Sequence, residues 1–291
     1  MATQKASPGP LTYRPPQRTR LMWLGIDNVS FDEALDGIVA LCRRPGPAFV
    51  VTPNVDHFMR ARKNSNLREI YERADLVLAD GMPVLWAARL LGRRLKEKVS
   101  GSDLLAAICE RAARERLRVF LLGGAPGIAD QVARAMCERY HGLTIAGTNS
   151  PEVNCDGTST DDDATFRVIN DARPDIVFVA FGCPKQEWWM ARNHQRLGGA
   201  VCIGVGAALD FAAGVQRRAP RWMQRAGLEW SWRLLREPRR LWRRYIVDDL
   251  PFFWWMARER IGLGGGHIEA APSPGDECGC EGRVFDRGNQ D

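Results

Sequence analysis

Four short polar motifs follow directly on apolar runs in this 291-residue sequence, and their residue types are those of substrate chemistry. In Ala79-Asp80-Gly81-Met82-Pro83 an acid stands at the end of a run, and Gly81 lets the chain turn away. Asp80 is placed to act as a general base, taking a proton from a substrate hydroxyl within hydrogen-bond reach, or to cap the following helix. Thr52-Pro53-Asn54 offers a hydroxyl and a carboxamide, and Asn54 equally suits a helix cap near Asp56. Gly123-Gly124-Ala125-Pro126-Gly127 is a glycine turn whose backbone amides, at a helix N-terminus, favour a phosphate; the same turn also occurs where only a turn is needed. In Gly182-Cys183-Pro184-Lys185-Gln186-Glu187, Lys185 could meet a phosphate and Gln186 a sugar or a base, or the pair could be a plain helix start.

Such motifs need a frame that sets strand ends side by side, because ligands of open parallel sheets bind beyond the carboxyl ends of the strands. Apolar, β-branched runs at 48–52, 75–78, 118–122, 143–146, 175–181 and 200–205 read as buried parallel strands. Between them, 102–117 and 126–140 carry apolar residues at three- and four-residue spacings, the period of a helix. The alternation predicts an α/β fold, a Rossmann-like and mostly parallel sheet with helices on both faces, over residues 21–211. Residues 1–20 are rich in proline and residues 262–291 in glycine and acids, so both are expected to be disordered.

With 45% hydrophobic and 26% charged residues, the composition suits one globular domain with extensions and excludes a fibrous or wholly disordered chain. Cys42, Cys109, Cys137, Cys155, Cys183 and Cys202 are scattered singly, which points to a reduced, cytosolic compartment. The sequence contains no apolar run of about 18 residues, and its first 20 residues contain no apolar stretch to serve as a signal, so neither a transmembrane span nor secretion is expected.

The net charge of +6 is concentrated at one end. From Arg217 to Arg260 twelve arginines face five acids, a local excess of seven, and six of the ten tryptophans share the segment. Helical patterns at 220–235 and 239–260, parted by Glu237-Pro238, make residues 212–261 a helical appendage. Indoles interleaved with arginines suit an anionic membrane surface; a helix packed on the body with solvated arginines is the alternative.

Metal chemistry has little support. His57, His141, His194 and His267 show no metal-ligand spacing, and Asp161-Asp162-Asp163 reads as acids favouring a helix N-terminus. No metal or other cofactor is expected, so a departing diphosphate would be met by arginines, lysines and backbone amides.

Taken in order, these motifs resemble the WecG/TagA/CpsF family, glycosyltransferase family twenty-six, over about residues 26–244. The resemblance rests on Thr52-Pro53-Asn54, Ala79-Asp80-Gly81-Met82-Pro83, Val99-Ser100-Gly101-Ser102-Asp103, Leu122-Gly123-Gly124, Phe181-Gly182-Cys183-Pro184-Lys185-Gln186-Glu187, Gly204-Val205-Gly206-Ala207-Ala208-Leu209-Asp210-Phe211 with Ala213-Gly214, Arg218-Ala219-Pro220, Gly227-Leu228-Glu229-Trp230 and Glu237-Pro238-Arg239-Arg240. It implies metal-independent, inverting transfer from a UDP-sugar to a polyprenyl-diphosphate-linked saccharide at the inner face of the bacterial membrane. The donor sugar would be of the N-acetylmannosamine, N-acetylmannosaminuronate or glucose type, in exopolysaccharide, capsule or envelope synthesis. Asp80 matches the family's general base, and Thr52, Asn54 and Gln186 match substrate-pocket positions. The appendage arginines of the family align by spacing with Arg233, Arg240 and Arg243, with Arg236, Arg239 or Arg244 as alternatives. Lys98 stands where the family commonly has arginine; it keeps the charge and loses bidentate contact, a hint of an altered donor or acceptor.

The expected partners are therefore a UDP-sugar, a lipid-linked acceptor and an anionic membrane surface, with a homo-oligomer left open. Two other readings are a non-catalytic scaffold of a polysaccharide assembly complex and a nucleic-acid-binding protein whose arginines track phosphates. The latter is disfavoured because the arginines are confined to two helices behind a complete α/β body that carries no nucleic-acid-binding motif.

Overall fold

The computed structural model describes residues 17–216 and 218–262; the disorder expected for 1–16 and 263–291 lies outside the described residues. A hairpin opens the fold, β1 (Arg18–Leu21) and β2 (Leu24–Asp27). It corrects the disorder expected up to residue 20. The hairpin is fastened from a distance: the Arg18 guanidinium donates to the carbonyl of Glu72 at 2.7 Å and to that of Ala74. The Asp27 carboxylate accepts from the amide of Val77 at 2.7 Å.

Beyond the hairpin, strands and helices alternate as α1 (Phe31–Arg43), β3 (Ala48–Val51), α2 (Val55–Lys63), α3 (Ser65–Arg73), β4 (Leu76–Val77), α4 (Met82–Leu90), α5 (Gly101–Glu115) and β5 (Arg118–Gly123). The body closes with α6 (Ile128–Arg139), β6 (Thr144–Asn149), α7 (Asp162–Ala172), β7 (Ile176–Ala180), α8 (Lys185–Asn193), β8 (Val201–Gly204) and α9 (Ala208–Ala212). Strands β3 to β8 form one parallel sheet in the order β4-β3-β8-β7-β5-β6.

Both faces of this sheet are covered, which explains the unbroken apolar runs. Because side chains alternate along a strand, Phe49 and Val51 of β3, Phe120 and Leu122 of β5 and Val177 and Val179 of β7 enter one core with Phe58, Tyr71 and Trp189. Val50, Val119, Leu121, Ile176, Phe178 and Ile203 enter the other, against Ile38, Leu104 and Ile108.

The appendage follows as α10 (Arg221–Arg225), α11 (Glu229–Arg236), α12 (Pro238–Trp242), a π-helical stretch (Arg243–Asp249) and α13 (Pro251–Arg260). Phe252 anchors it, fully buried and packed edge-to-face on Phe58 of α2 with ring centroids 5.5 Å apart. Cys42, Cys109, Cys137, Cys183 and Cys202 are free thiols, whereas Cys155, read as another single cysteine, is disulfide-bonded. It sits in a half-buried turn, outside the apolar runs that hold buried thiols.

Candidate active site

A cavity of about 350 Å³ lies where the ends of β3 and β4 meet the appendage. Asp80 forms its wall. The segment behind β4 continues as an extended ladder: the Asp80 amide donates to the Pro53 carbonyl at 3.0 Å, and the Val99 amide donates to the Ala79 carbonyl at 2.8 Å. Gly81, at φ +96°, then turns the chain into α4, a conformation that side chains rarely adopt. The carboxyl is thus held between two backbone segments instead of on a free loop.

Burial pushes Asp80 up to about 6, with Glu229 and Asp103 reinforcing the shift and Lys98 opposing it. A carboxylate tuned in this way is ionised at neutral pH and more basic than a solvated one, which suits it to take a proton. Lys98 lies on the same wall, its ammonium 3.5 Å from Asp103. Asp103 in turn accepts from Arg218 at 2.7 Å and from the Ser100 hydroxyl at 2.6 Å. Despite its burial, these donors hold the Asp103 carboxyl below the usual range.

Asn54 reaches the cavity and also caps α2, its side-chain oxygen accepting from the amide of Asp56 at 3.1 Å. Behind it runs a buried charge network. His57 sits 2.8 Å from the Asn54 oxygen through Nδ1 and 3.4 Å from Glu187 through Nε2. Asp56 pairs with Arg60 at 3.0 Å and with Arg244 of the appendage at 3.2 Å. Ligand atoms of Asp56, His57 and Cys183 lie within 4.8 Å of one another, a grouping invisible in the sequence spacing. Its carboxylate and imidazole already have arginine, asparagine and glutamate partners, so it reads as a strut and not as a metal cradle.

From the appendage come Arg233, Arg244, Glu229 and Asp249. Burial pushes Asp249 up to about 7, with Asp56 adding to the shift and Arg244 opposing it. Arg244 lies 3.9 Å from it. In a π-helical turn residues five apart align, which stacks Arg244 on Asp249 and turns both inward.

The chain matches the glycosyl transferase WecG/TagA/CpsF family over residues 19–265. It belongs to this family. Among its relatives, the N-acetylglucosaminyldiphosphoundecaprenol N-acetyl-beta-D-mannosaminyltransferase of Bacillus spizizenii W23 is 32% identical over 199 residues, 68% of this chain and 75% of the relative. The enzymes of the same name from Bacillus subtilis 168 and Staphylococcus aureus MW2 are 31% and 27% identical, over 68% and 71% of this chain and 75% and 78% of their own length. The chain is thus a glycosyltransferase, a hexosyltransferase by class.

Within this glycosyltransferase, Asp80, Asn54, Lys98 and Arg233 come together at the cavity, as do Ser100, Ser102, Glu229 and Arg244, whereas Thr52, Gly123, Gly124, Lys185, Gln186 and Arg243 do not line it. Thr52 is buried and its hydroxyl donates to the carbonyl of Gly204 at 3.0 Å, tying β3 to β8. Gln186 donates to Glu187 at 2.8 Å and accepts from the amide of Gly206 at 2.9 Å, so its carboxamide is held at both ends by protein. The ammonium of Lys185 holds the carbonyl of Val153 at 3.0 Å. At Gly123 the chain needs close approach, since a Cβ there would stand 2.7 Å from the carbonyl oxygen of Ala180. The Gly124 amide donates to that oxygen at 3.2 Å, which removes it from a phosphate nest.

Arg243 is exposed and absent from the cavity wall, and Arg244, one of the alternatives the spacing left open, lines it; the π-helical stretch begins at Arg243. The side chain of Arg240 lies outside the described residues. The acidic run expected at a helix start does open α7, and its side chains pack: Asp162 accepts from the indole of Trp189 at 3.0 Å and Asp163 pairs with Arg196 at 2.7 Å. Sequence reasoning gave no site role to Asp249, to Glu229 or to the Asp56–His57–Glu187 network. Glu187 and Glu229 stand within quoted motifs and Asp56 two residues beyond Asn54, a signal that was available; Asp249 gave none.

Proposed function

We propose that this enzyme transfers a sugar from a UDP-sugar to a polyprenyl-diphosphate-linked saccharide in cell-envelope polysaccharide synthesis. N-acetylmannosamine is the first donor to test, and an N-acetylglucosaminyl-diphospholipid the first acceptor, because the relatives carry those names. The observation that carries the reading is one carboxyl, Asp80, pushed up to about 6 at a cavity that Arg233 and Arg244 also line.

Asp80 takes the proton of the acceptor hydroxyl as its oxygen bonds to the anomeric carbon, and the bond from that carbon to the UDP oxygen breaks. A single displacement of this kind inverts the anomeric centre. Arg233 and Arg244 face the charge that develops on the leaving diphosphate, the role a divalent cation takes in other transferases, so the reaction proceeds without metal. The buried Nε of Arg233 has no partner within the described residues, which leaves it a donor for that oxygen.

No helix of the described residues is long and apolar enough to cross a membrane. Exposed Trp222, Trp242 and Trp254 among the arginines of the appendage support peripheral attachment to anionic lipid at the inner face of the membrane.

The test is UDP release from a panel of UDP-sugars, with and without the lipid-linked acceptor, in the presence of a chelator. Acceptor-dependent release from one donor, unaffected by the chelator, is expected. Release restored only by divalent metal would overturn the metal-free mechanism, and release from no donor would overturn the donor class.

A further inference from the structure

Next to the catalytic cavity lies a second recess of about 320 Å³, and Met82 and Trp86 line both. Leu85 and Leu95 complete its apolar walls, and Arg89 and Arg94 stand at its rim. Four of these residues form one stripe of α4, Met82, Leu85, Trp86 and Arg89, at helical positions i, i+3, i+4 and i+7. The helix starts directly after Asp80-Gly81, and from Met82 to Arg89 it rises about 10 Å. One helix thus runs from the base, past the wall shared by both spaces, to a pair of guanidinium groups.

These two arginines differ from their neighbour. Arg93 is engaged by Glu259 at 2.7 Å and by the carbonyl of Arg20 at 2.8 Å. Among the described residues no acid pairs with Arg89 or Arg94, so two positive groups rim an apolar recess with nothing to neutralise them.

We propose that the recess holds the diphosphate and the first isoprene units of the lipid-linked acceptor, Arg89 and Arg94 on the phosphates and Leu85, Trp86 and Leu95 on the chain, so that the attached sugar reaches Asp80 in the adjoining cavity. This rests on the acceptor class proposed above. A diphosphate accepts hydrogen bonds only, and guanidinium groups donate only, two to a phosphate at a time. An isoprenoid needs apolar cover, which Leu85, Leu95 and Trp86 give it. A nucleoside diphosphate fits less well, because the side chains of Met82, Leu85, Trp86, Arg89, Arg94 and Leu95 offer no oxygen to accept the imide N–H of a uracil. The outer end of α4 continues in the same character, with Leu90 57% exposed beyond Trp86.

Farnesyl diphosphate, a soluble stand-in for the lipid end of the acceptor, is the probe, titrated into the full-length protein by calorimetry beside a UDP titration. Wild type is expected to bind it. Arg89→Ala with Arg94→Ala should weaken that binding about tenfold or more and leave UDP affinity unchanged. Leu85→Ala should weaken farnesyl diphosphate and not inorganic diphosphate. Because Arg89 and Arg94 are exposed, the double variant should melt as wild type does. No binding by wild type, equal binding by the double variant, or an equal loss for UDP would each overturn the assignment. So would a variant that loses only co-sedimentation with phosphatidylglycerol vesicles, since the arginines would then meet bulk headgroups. Failure of the acceptor class itself shows separately, as no transfer by wild type to a lipid-linked saccharide in the presence of an active donor.

Discussion

The α/β body and the appendage are built on different principles although they share one cavity. In the body, Phe49, Val51, Phe120, Leu122, Phe178 and Ile203 are almost wholly buried between the sheet and helices on both sides. The appendage buries few large side chains, chiefly Leu241 and Phe252, and leaves Trp222, Leu235, Trp242, Ile246 and Leu250 more than half exposed. It is tied to the body largely by charge: Arg244 to Asp56, Arg218 to Asp103 and Arg93 to Glu259. Apolar burial is less sensitive to pH and salt than ion pairs are, so in the proposed mechanism the body holds the base in a fixed place and the appendage brings cations whose placement depends on charge.

Removing the base should give the largest effect. Asp80→Asn keeps the size of the side chain and removes its basicity, so transfer should fall about 10²- to 10⁴-fold while the melting temperature holds. UDP-release rates beside a thermal melt check both halves. A variant that folds and turns over at the wild-type rate removes Asp80 from the mechanism.

Breaking the tie between the regions comes next. Arg244→Ala leaves the Asp56 carboxylate buried with Arg60 as its remaining partner, and unbalancing a buried pair costs about 3 kcal/mol. Stability and transfer should both drop. Replacing the pair together, Asp56→Asn with Arg244→Met, should recover most of the melting temperature without recovering transfer, because the leaving-group cation is still missing. Recovery of both would make Arg244 a strut alone.

A pH titration separates the regions without mutation. Asp80, raised to about 6, must be ionised to act, so transfer should fall as pH drops through 6. Asp249, raised to about 7, binds its proton more tightly in the folded protein than in an unfolded chain, where an aspartate titrates near 3.9. Its contribution to docking is therefore full below about pH 4 and is lost as pH rises through 7. Hydrogen exchange of Pro251–Arg260 should quicken from pH 6 to pH 8 more than exchange of β5 does. Asp249→Asn should flatten that difference; an unchanged pH slope in the variant would place the titrating group elsewhere.

The same division explains what could be read in advance. Strands β3, β4, β5, β7 and β8 are legible because burial on both faces leaves each a nearly unbroken apolar run, while none of the residues of the edge strand β6 is buried; Asp80 is legible because a strand end is where such a sheet exposes polar residues. The hairpin was not, since Arg18–Leu21 owes its place to carbonyls of Glu72 and Ala74 far along the chain. Lys185 and Gln186 have the types of ligand-binding residues, yet Val153 and Gly206, which engage them, come from loops brought near only by folding. In the appendage the spacing of the family resemblance put Arg243 first and Arg244 among the alternatives, and no local pattern announces the π-helical turn in which Arg244 reaches the cavity.

The smallest effect on folding should accompany a clear effect on membrane attachment, and that contrast tests the comparison most sharply. Trp242 and Trp222 are 53% and 65% exposed, so Trp222→Ser with Trp242→Ser should move stability by no more than about 0.5 kcal/mol per site. In the body, Phe120→Ala at a fully buried position should cost about 3–5 kcal/mol. Binding to anionic vesicles should show the reverse ranking: the exposed pair falls several-fold, because indoles at headgroup depth and arginines on anionic lipid act together. Sedimentation with phosphatidylglycerol vesicles, run on both variants at a temperature where each is folded, decides it. If the tryptophan variant stays bound and the phenylalanine variant is released, attachment runs through the body, and the exposed apolar surface of the appendage has another occupant.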